Sequence, residues 1–349
     1  PQAALGEASW QLESPALRRL RDKIRNGKPT LKEIYGSPLY GIKTGLNEAF
    51  VIDRATRDRL IAEDPKSAEL LKPWLEGKDL KRWVAEPRDL WIIYIPKNKI
   101  DIEHYPAIKA HLEPFKAGLE KRATKQQWYE LQQAQDLYIC DYESTKLIYP
   151  EFSRGPEFSV IIGKSYINNK IFYINNNTFL LSAFLNSKIC WHILYEMCSF
   201  VIGGSREVRA QFLEQIPIPP ASDTDKAALS TLAQSCQQAA EERYARQQAL
   251  RRRIGDLTPA GSKAKLSSKL KNWWELHDFA AFRAEVKKTF KADVPLAERS
   301  DWEDWLAREK TEIARLSAEI TRNEDEINKI VYRLFDLTAD EIALLEANI

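Results

Sequence analysis

Hydrophobic residues follow two patterns along the chain, one before and one after residue 220. In the first part, apolar segments are short and are bounded by Gly, Pro or Asn, which is typical of β-strands. Residues 90–95, which are stopped by Pro96, predict a buried strand, and residues 146–150 predict another. Residues 166–174 have apolar arms and a polar centre, which predicts a hairpin.

A glycine-punctuated segment near the N-terminus predicts a loop between two strands. Residues 31–34 and 49–52 are short apolar segments that we expect to form strands on either side of Gly41 and Gly45. Glycine adopts backbone angles that other residues avoid. We therefore expect the loop to present Lys43 and Thr44 outward.

Helical signals surround these strands. Ser14 followed by Pro15 predicts the start of an amphipathic helix that ends at Asn26, immediately before Gly27. Further helices are predicted over residues 57–71, 108–122 and 179–195, and Gly203 with Gly204 breaks the chain after them.

After residue 220 the apolar positions keep helical spacing. One stripe runs through residues 229–254 and a second through residues 313–334, with an expected helical insert over 263–291 and a breaker at Pro295. Two such stripes can cover each other in antiparallel pairs. The whole pattern predicts an α+β fold, with a helical lead-in over residues 1–27, a mixed sheet with peripheral helices over 28–220 and an all-helical region over 221–349.

Composition limits the function classes. The chain has 349 residues, 44% hydrophobic and 29% charged, and a net charge of only +2, so any attraction to nucleic acid must come from local clusters of its 52 Lys and Arg residues. The four cysteines show neither metal-ligand nor disulfide spacing, which favours a reducing cytoplasm. We expect no membrane partner, because no apolar stretch approaches about 18 residues. The start at Pro1 indicates a portion of a longer polypeptide.

Catalytic motifs are sparse, and we expect no catalysis by this chain alone. Residues 37–40 read Ser-Pro-Leu-Tyr, which lacks the Asn and second Pro of the loop that holds an extruded adenine in amino-methyltransferases. Asp278, Glu285 and Lys287 have the residue types of a nuclease site but fall in a predicted helix, where a solvated face explains them. His192 beside a tryptophan fits a core position better than a metal ligand.

Motifs in a fixed order give the chain a resemblance to one enzyme family. They are the glycine loop with Asn-Glu-Ala-Phe at 41–50, Leu-Lys-Pro at 71–73, Gly-Lys-Asp at 77–79, Trp-Tyr-Glu-Leu at 128–131, the strand at 146–150, Leu-Asn-Ser-Lys at 185–188, Leu-Glu-Gln-Ile-Pro-Ile-Pro at 213–219 and the tail at 326–338. In this order they resemble the target-recognition domain of adenine-specific DNA methyltransferases of the TaqI-like and fused restriction-modification type. Phe335 and Asp336 depart from the family's usual tail.

The resemblance implies a DNA reader whose catalytic half is absent from this chain. Its partners would be double-stranded DNA and a catalytic methyltransferase domain or subunit. The chain itself would need no cofactor, whereas the parent would use S-adenosylmethionine, and Mg²⁺ if it also cleaves DNA. Two alternatives stay open, namely a separately encoded specificity subunit and a protein-interaction scaffold without a nucleic-acid role.

Reading a duplex requires cations for the phosphates and a few cationic or amide side chains for the base edges. Predicted loops supply this mixture, together with one aromatic pair. The candidate DNA-binding residues are Lys43, Thr44, Asn47, Lys78, Arg82, Lys97, Lys125, Trp128, Tyr129, Arg154, Lys164 and Arg206. Substitution of Lys43 by alanine is expected to lower affinity or relax specificity.

Each group of candidate residues also has an interpretation in which its role is structural and it does not bind DNA. We expect Lys81, Arg122 and Arg209 to be merely solvated, and Trp83 and Trp91 to lie in the core. For Trp128 and Tyr129, contact with nucleic acid and packing beneath the loop both stay open. The Arg251–Arg253 run ends a helix, where cations favour the helix dipole, and phosphate contact is the minority interpretation.

Overall fold

The computed structural model describes residues 14–201, 203–259, 261–262 and 265–348. The first 13 residues of the expected lead-in, and Lys263 and Ala264 of the expected insert, lie outside them. The described chain divides into two compact units. The sheet unit comprises the described residues up to Ser230 together with those from Ile327 onward, and the helical unit comprises Thr231–Glu326.

Thirteen short strands lie in the described part of the sheet unit. They are β1 (Leu39–Tyr40), β2 (Val51–Asp53), β3 (Leu71–Leu75), β4 (Leu80–Lys81), β5 (Val84–Ala85), β6 (Leu90–Ile93), β7 (Lys146–Pro150), β8 (Phe152–Ser153), β9 (Ser159–Ile161), β10 (Tyr166–Ile167), β11 (Ile171–Ile174), β12 (Ser199–Val201) and β13 (Ser205–Glu207).

Helices occupy both units. They are α1 (Pro15–Arg25), α2 (Leu31–Tyr35), α3 (Asn47–Phe50), α4 (Arg54–Glu63), α5 (Pro106–Leu112), α6 (Lys116–Glu120), α7 (Ile139–Glu143), α8 (Thr178–Leu185), α9 (Lys188–Met197), α10 (Ala210–Leu213), α11 (Asp223–Asp256), α12 (Ser268–Lys271), α13 (Phe279–Phe290), α14 (Arg299–Leu334) and α15 (Ala339–Glu346). The α+β class expected from the sequence is therefore confirmed. Among the described residues, no helix is both long enough and apolar enough to cross a membrane.

Two four-stranded sheets form the framework of the sheet unit. One has the order β1-β11-β7-β9 and is antiparallel throughout. The other has the order β10-β3-β6-β2 and is mixed, because β10 runs parallel to β3. A three-stranded sheet, β12-β13-β8, and the ribbon β4-β5 complete the unit. The buried strand expected at residues 90–95 is confirmed as β6, an inner strand.

The hairpin expected at residues 166–174 is wrong. β10 pairs with β3 in one sheet, whereas β11 pairs with β1 and β7 in the other. The Asn168–Lys170 turn therefore carries the chain from one sheet to the next. A polar turn between two apolar arms has the same local pattern whether or not the arms pair, so the sequence could not distinguish the two cases.

The strand expected at residues 31–34 is also wrong, because α2 occupies this segment. Thr30 and Glu33 form a capping box, in which the Thr30 side chain accepts from the Glu33 backbone and the Glu33 carboxylate accepts from the Thr30 backbone. This reciprocal pair satisfies two amide groups that otherwise lack partners at a helix start. The Thr-x-x-Glu spacing was a readable signal for a helix.

The strand β7 contains a buried cation. All five of its residues are buried, and the Lys146 side chain is 0% exposed. Its ammonium donates to the main-chain oxygens of Tyr142, Ser144 and Gly163 at 3.0–3.2 Å. Burial lowers the pKa of Lys146 to about 8.

The helical unit is built on the antiparallel pairing of α11 and α14, as the two apolar stripes predicted. Ser235 of α11 hydrogen-bonds Glu319 of α14 at 3.3 Å, whereas Arg246, further along α11, pairs with Glu309, earlier in α14, at 3.0 Å. The expected insert contains α12 and α13. Its aromatic residues join the core of this unit, in which Trp273 is fully buried.

Candidate nucleic-acid interface

The glycine loop of residues 41–45 is fixed by two different requirements for glycine. A Cβ on Gly41 would lie 2.3 Å from the Ile167 oxygen and 2.4 Å from the Asn168 oxygen, so only glycine lets the loop touch this turn. Gly45 has a φ of +82°, and a Cβ there would also lie 2.5 Å from the Arg122 side chain. The loop is therefore rigidly placed against the turn between the two main sheets.

Of the three candidates in and beside this loop, Lys43 and Asn47 are exposed. The Lys43 backbone exchanges two hydrogen bonds with Gln133, at 3.0 and 2.9 Å, which fixes where its side chain leaves the surface. The expectation that Thr44 faces outward is wrong, because it is only 4% exposed. Its hydroxyl donates to the side-chain oxygen of Asn47 at 2.5 Å, which links the loop to the first residue of α3.

Arg122 holds the loop from beneath, and the expectation that it is merely solvated is wrong. Its guanidinium donates to the main-chain oxygens of Thr44 at 3.0 Å, Glu130 at 2.8 Å and Trp128 at 2.7 Å. The same group lies 5.7 Å from the centre of the Phe50 ring. Arg122 therefore joins the glycine loop to residues 128–130.

The candidates on either side of residues 128–130 differ in their surroundings. Lys97 and Lys125 are exposed. Trp128 and Tyr129 are half-buried against the core, with their rings edge to face at 5.7 Å, and the Lys116 ammonium lies 5.2 Å from the Trp128 ring. The aromatic pair packs against the core, and its contact with nucleic acid stays a prediction.

A second candidate surface is a cleft of about 530 Å³ in the sheet unit, where the segments that follow β3 and β10 meet β7, β8 and β13. We call it the basic cleft because of the cations in its lining. Four cations line it, and two of them, Lys78 and Arg154, were predicted from the sequence. Lys170 had not been singled out, and Lys81 had been set aside as solvated. Their lining neighbours include Asn168 and Ser205.

The two carboxylates that line the basic cleft are largely compensated. Arg88 pairs with Glu76 at 2.5 Å, and Lys78 lies 3.3 Å from the same carboxylate. Although burial opposes it, these hydrogen bonds leave the pKa of Glu76 lowered. Burial raises the pKa of the other carboxyl group, that of Glu157, which accepts from the Ser153 hydroxyl at 2.7 Å. Among the cations of the lining, Lys170 is also paired, with Glu151 at 2.5 Å. Because the lining contains four cations and two carboxylates, its formal charge stays positive.

Three further predicted site residues, besides those in the glycine loop and around residues 128–130, lie outside the lining of the basic cleft. Arg82 is half-buried and donates to the Asn186 main-chain oxygen at 2.7 Å. Lys164 is exposed and lies 3.3 Å from Glu143. Arg206 packs its guanidinium 3.8 Å from the Tyr195 ring centre. The basic cleft therefore brings together two of the twelve predicted site residues, Lys78 and Arg154.

Trp83, Trp91 and the Arg251–Arg253 run were expected to have structural roles, and the structure agrees in part. Trp83 is buried in the core, as expected, and Trp91 is half-buried beneath the Arg57 guanidinium at 4.0 Å. Arg251 lies 5.1 Å from the Trp274 ring centre, and Arg253 pairs with Asp256 at 3.4 Å.

A cleft of about 480 Å³ in the helical unit has the opposite charge. Asp256, Glu298 and Asp301 line it together with Trp302 and Trp305. An acidic lining repels phosphates, so the sheet unit supplies the better nucleic-acid surface. Among the described residues, no group of three or more His, Cys, Asp or Glu side chains could hold a metal ion.

The fold of the chain is similar to that of a restriction-modification enzyme in complex with DNA. That protein is the Type IIL restriction-modification enzyme MmeI, with a TM-score of 0.54 and 12% sequence identity over 93% of this chain. The chain spans only 36% of that protein. At this level of identity, the likeness shows a shared fold.

Sequence comparison adds a match within the C-terminal region. Residues 222–331 match a family model described as Domain of unknown function (DUF8810). No curated protein matches the chain.

Proposed function

We propose that this chain reads a DNA sequence for a restriction-modification enzyme, as the target-recognition portion of an adenine-N6 methyltransferase of the TaqI-like or fused type. S-adenosylmethionine, and Mg²⁺ if the parent cleaves DNA, belong in this proposal to the catalytic domain or subunit. The fold shared with an enzyme in complex with DNA and the ordered sequence motifs support it.

The basic cleft is the observation that carries the proposal. Lys78, Lys81, Arg154 and Lys170 converge on one concavity although they lie in separate segments of the chain. Because phosphate contacts supply most of the affinity of DNA-binding proteins and fix their register, a convergent set of cations is the feature that a duplex requires. Because the chain is nearly neutral as a whole, a general excess of positive charge does not explain why these cations lie together.

We assign the reading of bases to side chains that extend from a fixed stretch of backbone and that take no part in the salt bridges described above. Lys43 is the best placed, since the Gln133 pairing and the contact between Gly41 and the Asn168 main chain hold its backbone. A lysine that reaches the major groove donates to the O6 and N7 atoms of guanine. Asn168, in the lining of the basic cleft, offers an amide that can pair with adenine.

Selection of duplexes from a random pool tests the proposal. The 349-residue chain is immobilised, and bound DNA is amplified and sequenced over successive rounds at two salt concentrations. We expect one short motif to be enriched, and we expect the affinity for that duplex to fall as salt rises.

Binding to the enriched duplex is then compared with binding to a scrambled duplex of the same composition. A preference for the enriched duplex supports sequence reading. Equal affinities for both duplexes would contradict it and leave only non-specific attraction, whereas the absence of any salt-dependent binding would favour the scaffold alternative.

A further inference from the structure

A buried serine hydroxyl lies between two hydrogen-bond acceptors beside the basic cleft. Ser153 is only 3% exposed. Its Oγ lies 2.5 Å from the main-chain oxygen of Gly155 and 2.7 Å from the side-chain oxygen of Glu157, which lines the cleft. A hydroxyl group carries one hydrogen, so it can donate only one bond of this length. When Glu157 is ionised, one of the two acceptors therefore faces an oxygen lone pair at short range.

A proton on Glu157 turns both contacts into hydrogen bonds. A protonated carboxyl group has one O–H donor, whereas a main-chain carbonyl has none. Ser153 then donates to Gly155, and Glu157 donates to Ser153. Burial raises the pKa of Glu157, although the charges of Lys81 and Arg154 oppose this effect. The count of hydrogens and the burial both favour a neutral carboxyl group in the basic cleft.

Two cations stand beside this carboxyl group. Arg154 follows Ser153 directly in the chain. Lys81 of β4 is held close to the segment that contains Glu157, because its main-chain oxygen accepts from the Ser159 hydroxyl at 2.5 Å. Both cations are exposed, and both line the basic cleft. The carboxyl group and the two cations therefore form one local cluster.

The other charged groups of the lining are already paired. Lys78 lies 3.3 Å from Glu76, and Lys170 lies 2.5 Å from Glu151. In the described part of the chain, the two cations beside Glu157 take part in no such salt bridge. They are therefore the cations whose charge an incoming anion would meet first, and Glu157 is the group that decides whether a negative charge stands between them.

We propose that the basic cleft binds a DNA phosphate between Lys81 and Arg154 while Glu157 is protonated, so that binding takes up a proton from solvent. This inference rests on the proposed function and adds proton linkage to it. A carboxylate repels a neighbouring phosphate, whereas a neutral carboxyl group does not. By linkage, protonation raises the affinity for the phosphate by the same factor as the phosphate raises the affinity for the proton. The affinity for DNA therefore falls as the pH rises.

Titrations of the enriched duplex from about pH 5 to pH 8 at constant salt test this site. The wild type is expected to lose affinity by about 10-fold, because a like charge nearby shifts the pKa of a carboxyl group by on the order of one unit. Glu157→Gln keeps the shape and a donor without the charge, and it is expected to bind equally well throughout. Glu63→Gln removes an exposed carboxylate that pairs with Arg59 outside the cleft. This matched control is expected to keep the pH dependence.

Calorimetry measures the proton directly. Binding heats in two buffers of different ionisation enthalpy, at a pH where the affinity changes, give the number of protons taken up. We expect uptake of up to one proton by the wild type and none by Glu157→Gln. Duplexes that carry a single uncharged methylphosphonate link at successive positions then locate the phosphate. At one position, the link is expected to abolish the pH dependence of the wild type, a result that needs no protein variant.

The outcomes separate this inference from the proposed function. If the wild type binds the enriched duplex with a salt-dependent affinity but without proton uptake, the proton-linked site is overturned while DNA reading stands. A pH dependence that persists in a Glu157→Gln protein of unchanged circular dichroism, or with a methylphosphonate link at every position tested, would overturn it as well. If the wild type shows no salt-dependent binding, both proposals fail.

Discussion

Arg122 donates a hydrogen bond from Nη1 to the main-chain oxygen of Thr44, 3.0 Å away, although the two residues are 78 positions apart in the sequence. This bond and its neighbours fix the glycine loop without using any loop side chain. The position of Lys43, one residue before Thr44, therefore depends on a residue that makes no contact with DNA in the proposed complex.

Arg122→Ala is expected to lower the free energy of unfolding by about 2–4 kcal/mol, because it removes the guanidinium donor from the main-chain oxygens of Thr44, Glu130 and Trp128. Urea unfolding followed by circular dichroism measures the change. Arg209→Ala is the control, because the Arg209 side chain is exposed and its ion pair with Glu207 is expected to contribute less than about 1 kcal/mol. Equal losses in the two variants would show that Arg122 is not the anchor.

Gly41→Ala is expected to destabilise the fold by about 3 kcal/mol, because the new methyl group would overlap the Ile167 and Asn168 main-chain oxygens. Gly155→Ala is matched to it, since neither glycine has a positive φ and nothing lies within 4 Å of a Cβ at Gly155. Thermal unfolding of both variants checks the difference. A Gly41→Ala protein as stable as Gly155→Ala would mean that the loop does not need this close approach.

Lys146 gives a pH-dependent contribution to stability. Burial lowers its pKa in the folded state to about 8 from an ordinary value of 10.5, so the unfolded chain binds more protons between these two pH values. The charged amine opposes folding below about pH 8, and this opposition is relieved as the pH rises toward 10.5. The wild type is therefore expected to gain up to about 3 kcal/mol relative to Lys146→Met over this window.

Urea unfolding of the wild type and of Lys146→Met at a series of pH values measures this gain. The comparison is a difference between two proteins because other groups titrate nearby. Burial raises the pKa of Tyr142 and of Tyr173, which lowers stability above about pH 10 in both proteins alike. Parallel curves from pH 7 to pH 10 would contradict a buried amine of lowered pKa.

Single alanine substitutions at Lys78, Arg154 and Lys170 are expected to weaken binding to cognate and scrambled duplexes by similar factors. Each is also expected to reduce the salt slope by about 1, the signature of one lost phosphate contact. Fluorescence anisotropy titrations at several salt concentrations provide the data. Lys66→Ala, an exposed cation outside the lining of the basic cleft, serves as the control, and a slope that falls equally in this variant would remove the cleft from the interface.

Lys43→Ala is expected to behave differently, with a loss of about 1–3 kcal/mol for the cognate duplex and little for the scrambled one, because a lysine that reads a base edge contributes to specificity. The same titrations measure it. If Lys43→Ala binds both duplexes like the wild type, the residue reads no base.

The long elements of this fold were predictable, and the short ones were less so. Regular apolar spacing over residues 229–254 and 313–334 indicated α11 and α14, because a long helix must bury one face. Residues 179–195, read as one helix, instead form α8 and α9, since Ser187 accepts from the Cys190 amide and starts a new helix. A cap inside an apolar run is easily overlooked.

The candidate site was only partly predictable for a related reason. Loop cations such as Lys78 and Arg154 are visible in the sequence, but their convergence on one cleft depends on which strands pair. Arg122 and Lys170 have the same local composition as solvated cations. The position of Lys170 becomes apparent only when the Asn168–Lys170 turn is seen to cross between the sheets. The role of Arg122 becomes apparent only from its bonds to main-chain oxygens that are distant in the sequence, such as that of Thr44.

The hydrogen bonds that Arg122 donates go to main-chain oxygens, which has an evolutionary consequence. Every residue type carries the same carbonyl, so the path of the loop tolerates exchange of the side chains displayed upon it. Under the proposed function, single substitutions in this loop can change the DNA sequence that the protein prefers while the fold stays the same.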